Sequence, residues 1–284
     1  MNFKNASKDY LDYIKVTKSD GTFRYQESKV KSLNTYFKEM ELDKIDKKKV
    51  IAFISFLKDR NPKISQVTIN KYISVLKRII KYNTDRVLVF DSLPETKKVI
   101  PVLSEEIIEK VFNYFQKRLS HIESLRNYVL FRLMLDTGLR INEILNLKTS
   151  DIDFNSSTIH VKITKTKTER FVFFTRTTKY LMERLIAKGT LNSRIFINYY
   201  SKKPLTVDNV QAFCYRLENK LELPMNIRPH KWRHTFATKY LKSGGDLESL
   251  RLILGHTNLK TTQIYLHLDK DHLKREYFKA FQNA

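Results

Sequence analysis

A mainly α fold carrying a small β-sheet, divided between two domains, is what this sequence predicts, and three observations carry the prediction. Apolar residues recur at helical spacing through most of the chain, the period drops to two only between residues 151 and 174, and periodicity lapses between Asp91 and Pro101. With 284 residues, 42% of them hydrophobic, each domain has enough apolar surface for its own core.

In the first domain Leu33, Tyr36, Phe37 and Met40 follow the i, i+3, i+4, i+7 pattern, and Val50, Phe53, Ile54 and Leu57 repeat it behind a capping Asp46. Ile69, Ile73, Leu76 and Ile80 form a longer stripe behind Ser65, and a weaker helix around Ser7–Val16 comes first. Turn-like breaks at Lys18–Gly21 and Asn61–Lys63 complete a compact domain of four or five helices over residues 1–92. Residues 93–101 read as a linker, with Lys97-Lys98 between two prolines. A second domain then spans 102–284 and ends in a helical tail, 269–284, where Leu273, Tyr277 and Phe281 repeat at helical spacing.

The second domain opens on a helix capped by Ser104, with Glu105 and Glu106 at the positive end of its dipole. A helix over Ser124–Thr137 stops at Gly138, a natural C-cap, so Arg140 begins the next helix with Glu143 one turn on. Alternating Ile159, Val161 and Ile163 and the run Phe171–Phe174 form two strands, joined by a cation-loaded turn at Thr164–Arg170. Helices follow at Thr177–Lys188 and Thr206–Leu221, and Pro229 opens another.

Charge points to the partner. The chain carries 53 Lys+Arg against 30 Asp+Glu, a net +23 with an excess in both halves, and the simplest partner for that surplus is a polyanion. No run approaches the roughly 20 apolar residues of a membrane span, and the N-terminus lacks a signal-peptide core, so a soluble, cytoplasmic protein is expected. The single cysteine, Cys214, rules out an internal disulfide, gives no basis for a zinc cluster, and is expected in the core. Lys47, Lys71, Lys77 and Arg78 lie on the polar faces of the first domain. Any one of them reads as a solvated face, but as a set they suit a module lying along a DNA duplex.

His230 and Arg233 share a helix face by i, i+3 spacing, Leu254-Gly255-His256 follows a helix break, and Tyr265 comes nine residues after His256. Each feature alone is weak, since the chain has 15 tyrosines. Their joint order, preceded by Thr137-Gly138-Leu139-Arg140-Ile141-Asn142-Glu143 and a lysine-bearing hairpin, closely resembles the tyrosine recombinase family, also called phage integrases. The resemblance covers Val102 to about His267, and more loosely the first domain, which looks like the family's helical, SAM-like core-binding domain. It implies a fold in which that domain and an α+β catalytic domain clamp DNA.

Carried over by position, Arg140 and Arg233 match the two catalytic arginines, His230 the first histidine, His256 the second His/Trp position, and Tyr265 the nucleophile. Glu143 matches the supporting acidic position. Lys165 matches the hairpin lysine, with Lys167 the alternative there and otherwise a DNA contact. Trp232 stands where a smaller aliphatic is commoner, a difference expected to touch packing and not chemistry.

The residue types fit the reaction on their own terms. Two fixed guanidiniums and a histidine N–H stabilise the charge that builds on a phosphodiester under attack, so no cofactor and no metal is implied. A tyrosine hydroxyl, ordinarily titrating near pH 10, needs a base, a role open to His230. The leaving 5′-oxygen needs a proton, which Lys165 on a hairpin can deliver.

The resemblance further implies a 3′-phosphotyrosyl intermediate, a Holliday junction, and a tetramer on two double-stranded recombination sites. It also implies a tail docked on the neighbouring protomer, the alternative being a tail packed on its own domain. Integration or excision of a mobile element is the leading expectation, with an accessory DNA-bending or excision protein as a possible partner. The alternatives are Xer-type resolution of replicon dimers, a catalytically idle DNA-binding protein, and supercoil relaxation by a monomer.

Overall fold

The computed structural model describes residues 1–95, 101–162, 169–191, 193–256, 258, 260–263 and 265. Two compact units divide the chain, Met1–Lys98 and Val99–Ala284.

The first unit consists of α1 (Phe3–Thr17), α2 (Asp20–Phe37), α3 (Lys47–Arg60) and α4 (Gln66–Asn83). The expected caps are present: Asp46 accepts from the Lys49 amide and Ser65 from the Thr68 amide. Helix α2 begins well before Leu33, because Phe23, Gln26 and Val30 extend the same stripe toward the N-terminus; Gln26 interrupts its apolar character yet is buried. Helix α1 likewise starts earlier than Ser7, at an Asn2 cap, and buries Phe3, Ala6, Tyr10 and Ile14. These side chains meet Leu33, Phe37, Phe53, Ile69, Ile73 and Leu76 in one core, each full burial contributing about 1.5–3 kcal/mol. Beyond α4, Leu88 and Phe90 remain buried in this unit, and Asn70 exchanges two side-chain hydrogen bonds with the backbone of Leu93.

The second unit runs α5 (Glu105–Gln116), α6 (Ile122–Thr137), α7 (Ile141–Leu145), β1 (Ile152–Asp153), β2 (Thr158–Val161), β3 (Arg170–Phe173), α8 (Arg176–Ile186), β4 (Ile197–Asn198), β5 (Lys203–Pro204), α9 (Val207–Lys220), α10 (Pro229–Lys242), α11 (Leu247–Leu254) and α12 (Lys260–Gln263). Helix α6 is its axis: residues 125–131, 133 and 134 are all buried, and α5, α8 and α10 pack around it. Strands β1, β2 and β3 form an antiparallel sheet with Ile159 opposite Val172 and His160 opposite Phe171. A second, two-stranded sheet of β4 and β5 was not foreseen; strands of two residues carry no readable alternation. Trp232 is fully buried, 4.8 Å from the Phe131 ring and 5.7 Å from Phe112, and its indole N–H donates to the Ile227 carbonyl. Cys214 is buried, its thiol pushed up to about 12 by desolvation, so it behaves as a small core residue.

Candidate active site

The site starts at a glycine. Gly138 closes α6 in the left-handed region at φ 62°, and a Cβ there would stand 2.3 Å from the Phe236 ring, so the chain turns tightly against α10. Two residues on, Arg140 caps α7, its amide donating to Glu143 Oε2 at 2.8 Å and its Nη1 to Oε1 at 3.1 Å. Its Nη2 donates to the Gly255 carbonyl, yet the side chain stays about one-third exposed. Arg140 is therefore held in position but remains open to an incoming anion.

Helix α10 carries Arg233, which is 5% exposed, into the same place. Its Nη1 donates to the Gly138 carbonyl at 2.6 Å and its Nη2 to that of Leu254 at 2.8 Å. The same Nη2 lies 3.0 Å from His256 Nε2. A guanidinium only donates, so His256 Nε2 accepts, and the ring proton sits on Nδ1, 2.9 Å from the hydroxyl of buried Thr262. Burial, then Arg233, Arg140, Arg170 and His234, lower the His256 pKa to about 4, which keeps this neutral form at physiological pH. Arg233 itself falls to about 10, mainly by burial, and stays charged.

His230 lies exposed in the first turn of α10; desolvation, Arg233 and Arg140 hold its pKa below the ordinary histidine value. Tyr265 is 2% exposed. Its hydroxyl lies 2.8 Å from Nδ1 of His234, whose ring centroid is 6.5 Å from that of His230. Burial raises the Tyr265 pKa, with Arg233 opposing. Burial, His230 and Arg233 push His234 down to about 4, so an uncharged imidazole faces a protonated phenol.

The structure thus brings Arg140, Glu143, His230, Arg233, His256 and Tyr265 together around α10. Lys165, Lys167 and the tail from Asp269 lie outside the described residues. Among the first-unit cations, Lys47, Lys71 and Arg78 are exposed, whereas Lys77 is partly buried and its ammonium donates to the Phe90 carbonyl. Three residues escaped the sequence reading: His234, Thr262 and Arg170. His234 was detectable, since it follows His230 by one helical turn on the face that carries Arg233. Arg170 had the appearance of the last cation of a turn, but it is 8% exposed and paired with Glu143 at 2.7 Å.

Residues 101–272 match the phage integrase family, and residues 2–98 match the phage integrase SAM-like domain. The chain belongs to the phage integrase family. It is therefore a tyrosine recombinase, an enzyme of site-specific DNA recombination. Among its relatives is tyrosine recombinase XerA of Saccharolobus solfataricus, 33% identical across 99% of this chain and 86% of that one. A probable integrase/recombinase of Acholeplasma phage L2 is 27% identical over 98% of both chains. The fold is also that of the Tn1549 transposon integrase in complex with a circular intermediate DNA, with a TM-score of 0.82 at 20% identity over 98% of this chain and 99% of that one.

Proposed function

We propose that this recombinase cleaves duplex DNA by attack of Tyr265 on one phosphodiester of a recombination site. The observation that supports the reading best is the meeting of the phosphate-binding groups with the tyrosine: Arg233 touches His256, while Tyr265 touches His234, the next residue of the same helix. A bond forms between the phenolic oxygen and phosphorus as the P–O5′ bond breaks, leaving a 3′-phosphotyrosyl link and a free 5′-hydroxyl. Arg140 and Arg233 stabilise the charge on the nonbridging oxygens, His256 steadies Arg233 by accepting from its Nη2, and Glu143 steadies Arg140. His230, beside both arginines at the exposed end of α10, takes the phenolic proton, and Lys165 gives one to the leaving oxygen, with Lys167 the alternative donor. Because the bond energy is kept in the phosphotyrosyl link, the reverse step rejoins strands without ATP.

A phenol that is 2% exposed cannot meet a phosphate where it stands. Tyr265 therefore rests on His234 and leaves it when DNA is bound. In this reading residues 1–92 grip the duplex through Lys47, Lys71 and Arg78, while 102–284 perform the chemistry. Four protomers exchange strands through a Holliday junction, with the tail 269–284 docked on a neighbour, in the cytoplasm at the nucleoid.

The biological setting we favour is integration or excision of a mobile element. The near full-length identity to a XerA recombinase supports a second setting, resolution of replicon dimers. The test is incubation with nicked suicide duplexes drawn from DNA flanking the gene. A covalent adduct with wild type, and none with Tyr265→Phe, is the expected result; no adduct with wild type would end the enzymatic reading of this site. Flanking attachment sites capturing adduct mark a mobile element, and a chromosomal site alone marks a dimer resolvase.

A further inference from the structure

Glu143 is the pivot that holds Arg140, and its carboxylate is only 7% exposed. It accepts the Arg140 amide and Arg140 Nη1, so in isolation it would draw that guanidinium onto itself and away from an approaching phosphate. A second cation prevents this. Arg170, the first residue of β3, donates Nη2 to Glu143 Oε2 at 2.7 Å and Nη1 to Oε1 at 3.2 Å, a fork-to-fork pair. Its Nε donates to the Ile253 carbonyl at 2.7 Å, near the end of α11. Gly255 closes that helix with its absent Cβ aimed at the Arg170 guanidinium, 2.9 Å from Nη1, so the backbone itself is shaped around this side chain. Arg170 is 8% exposed, and its guanidinium is committed to Glu143 and the Ile253 carbonyl.

We propose that Arg170 is a positioning residue for DNA cleavage: by supplying the second cation of an Arg140–Glu143–Arg170 triad, it leaves the outer face of Arg140 free for the scissile phosphate. The proposal rests on the reading of Arg140 as a phosphate-binding group.

The test uses the full chain and a nicked duplex recovered by covalent capture on wild-type protein from a random library. Arg170→Met is expected to bind this duplex within about twofold of wild type, while adduct formation slows by about 100-fold through misplacement of Arg140. Glu143→Gln, which removes the charge that Arg170 offsets, is expected to slow cleavage too, and the double variant to be within about threefold of Glu143→Gln alone. Multiplying losses in the double variant would overturn the proposal, as would loss of DNA binding in Arg170→Met or an unchanged cleavage rate. Should Arg170→Met fail to fold, Arg170→Lys keeps the charge without the fork. It is expected to bind normally and cleave about tenfold more slowly, and full activity would overturn the proposal. Failure of wild type to capture any duplex tells against the cleavage reading itself, a separate result.

Discussion

The hydroxyl of Tyr265 lies 2.8 Å from Nδ1 of His234, and both groups are neutral where they meet. That hydrogen bond ties down a buried phenol, whereas His230, one turn earlier on α10, is exposed near Arg233 and Arg140. The two histidines of α10 therefore do different work. His234→Ala removes one neutral hydrogen bond, so adduct formation should change by no more than about tenfold, whereas His230→Ala removes the proposed proton acceptor and should slow it by about 100-fold or more. Single-turnover adduct assays on a suicide duplex measure both. The opposite ranking would move the base to His234.

How far the sequence foretold this arrangement depends on the range of each signal. Capped helices such as α3 and α4 were readable because a cap and a stripe are local, and Asp46 and Ser65 stand where expected. Arg140, His230, Arg233, His256 and Tyr265 were visible as an ordered set because each sits at a helix end or fixed spacing. Arg170 was not, because its identity as a buried ion depends on Glu143 and Ile253, residues 27 and 83 positions away. Lys77 shows the converse: it lies among the cations of α4, yet its ammonium is committed to the Phe90 carbonyl, a contact that no periodicity encodes.

Gly255 should be intolerant of a side chain. Its φ of 63° is left-handed, and its Cβ would come within 2.9 Å of Arg170. The backbone term alone costs about 1–2 kcal/mol in Gly255→Ala, and displaced Arg170 loosens Glu143 as well. We expect a lower midpoint in urea unfolding and slower adduct formation with normal DNA affinity. Wild-type kinetics would show that the Arg170 contact yields without consequence.

Acid should weaken this unit well before ordinary carboxylates titrate. His234 and His256 are held near 4, against about 6.5 in an unfolded chain. The unfolded state thus takes up protons first, and the stability present above pH 6.5 is lost progressively as pH falls toward 4. Each histidine accounts for on the order of 2–3 kcal/mol over that window. Urea titrations between pH 7.5 and 4.5 check this. A stability that is constant to pH 5 would contradict the lowered pKa of these two half-buried histidines.

Salt separates the cations that meet DNA from those that do not. If binding neutralises about 8 phosphates, log K falls against log salt with a slope near −7, and losing one true contact reduces that slope by about 0.9. Lys47→Ala, Lys71→Ala and Arg78→Ala each remove an exposed charge from α3 or α4 and should show this reduction. Lys77→Met should leave the slope unchanged, because its ammonium is already given to the Phe90 carbonyl, and should instead cost about 1 kcal/mol of first-unit stability. Fluorescence anisotropy across 50–300 mM salt (about a twofold range of Debye length), paired with thermal unfolding, reads both quantities. A slope change in Lys77→Met with unaltered stability would place that side chain on the DNA.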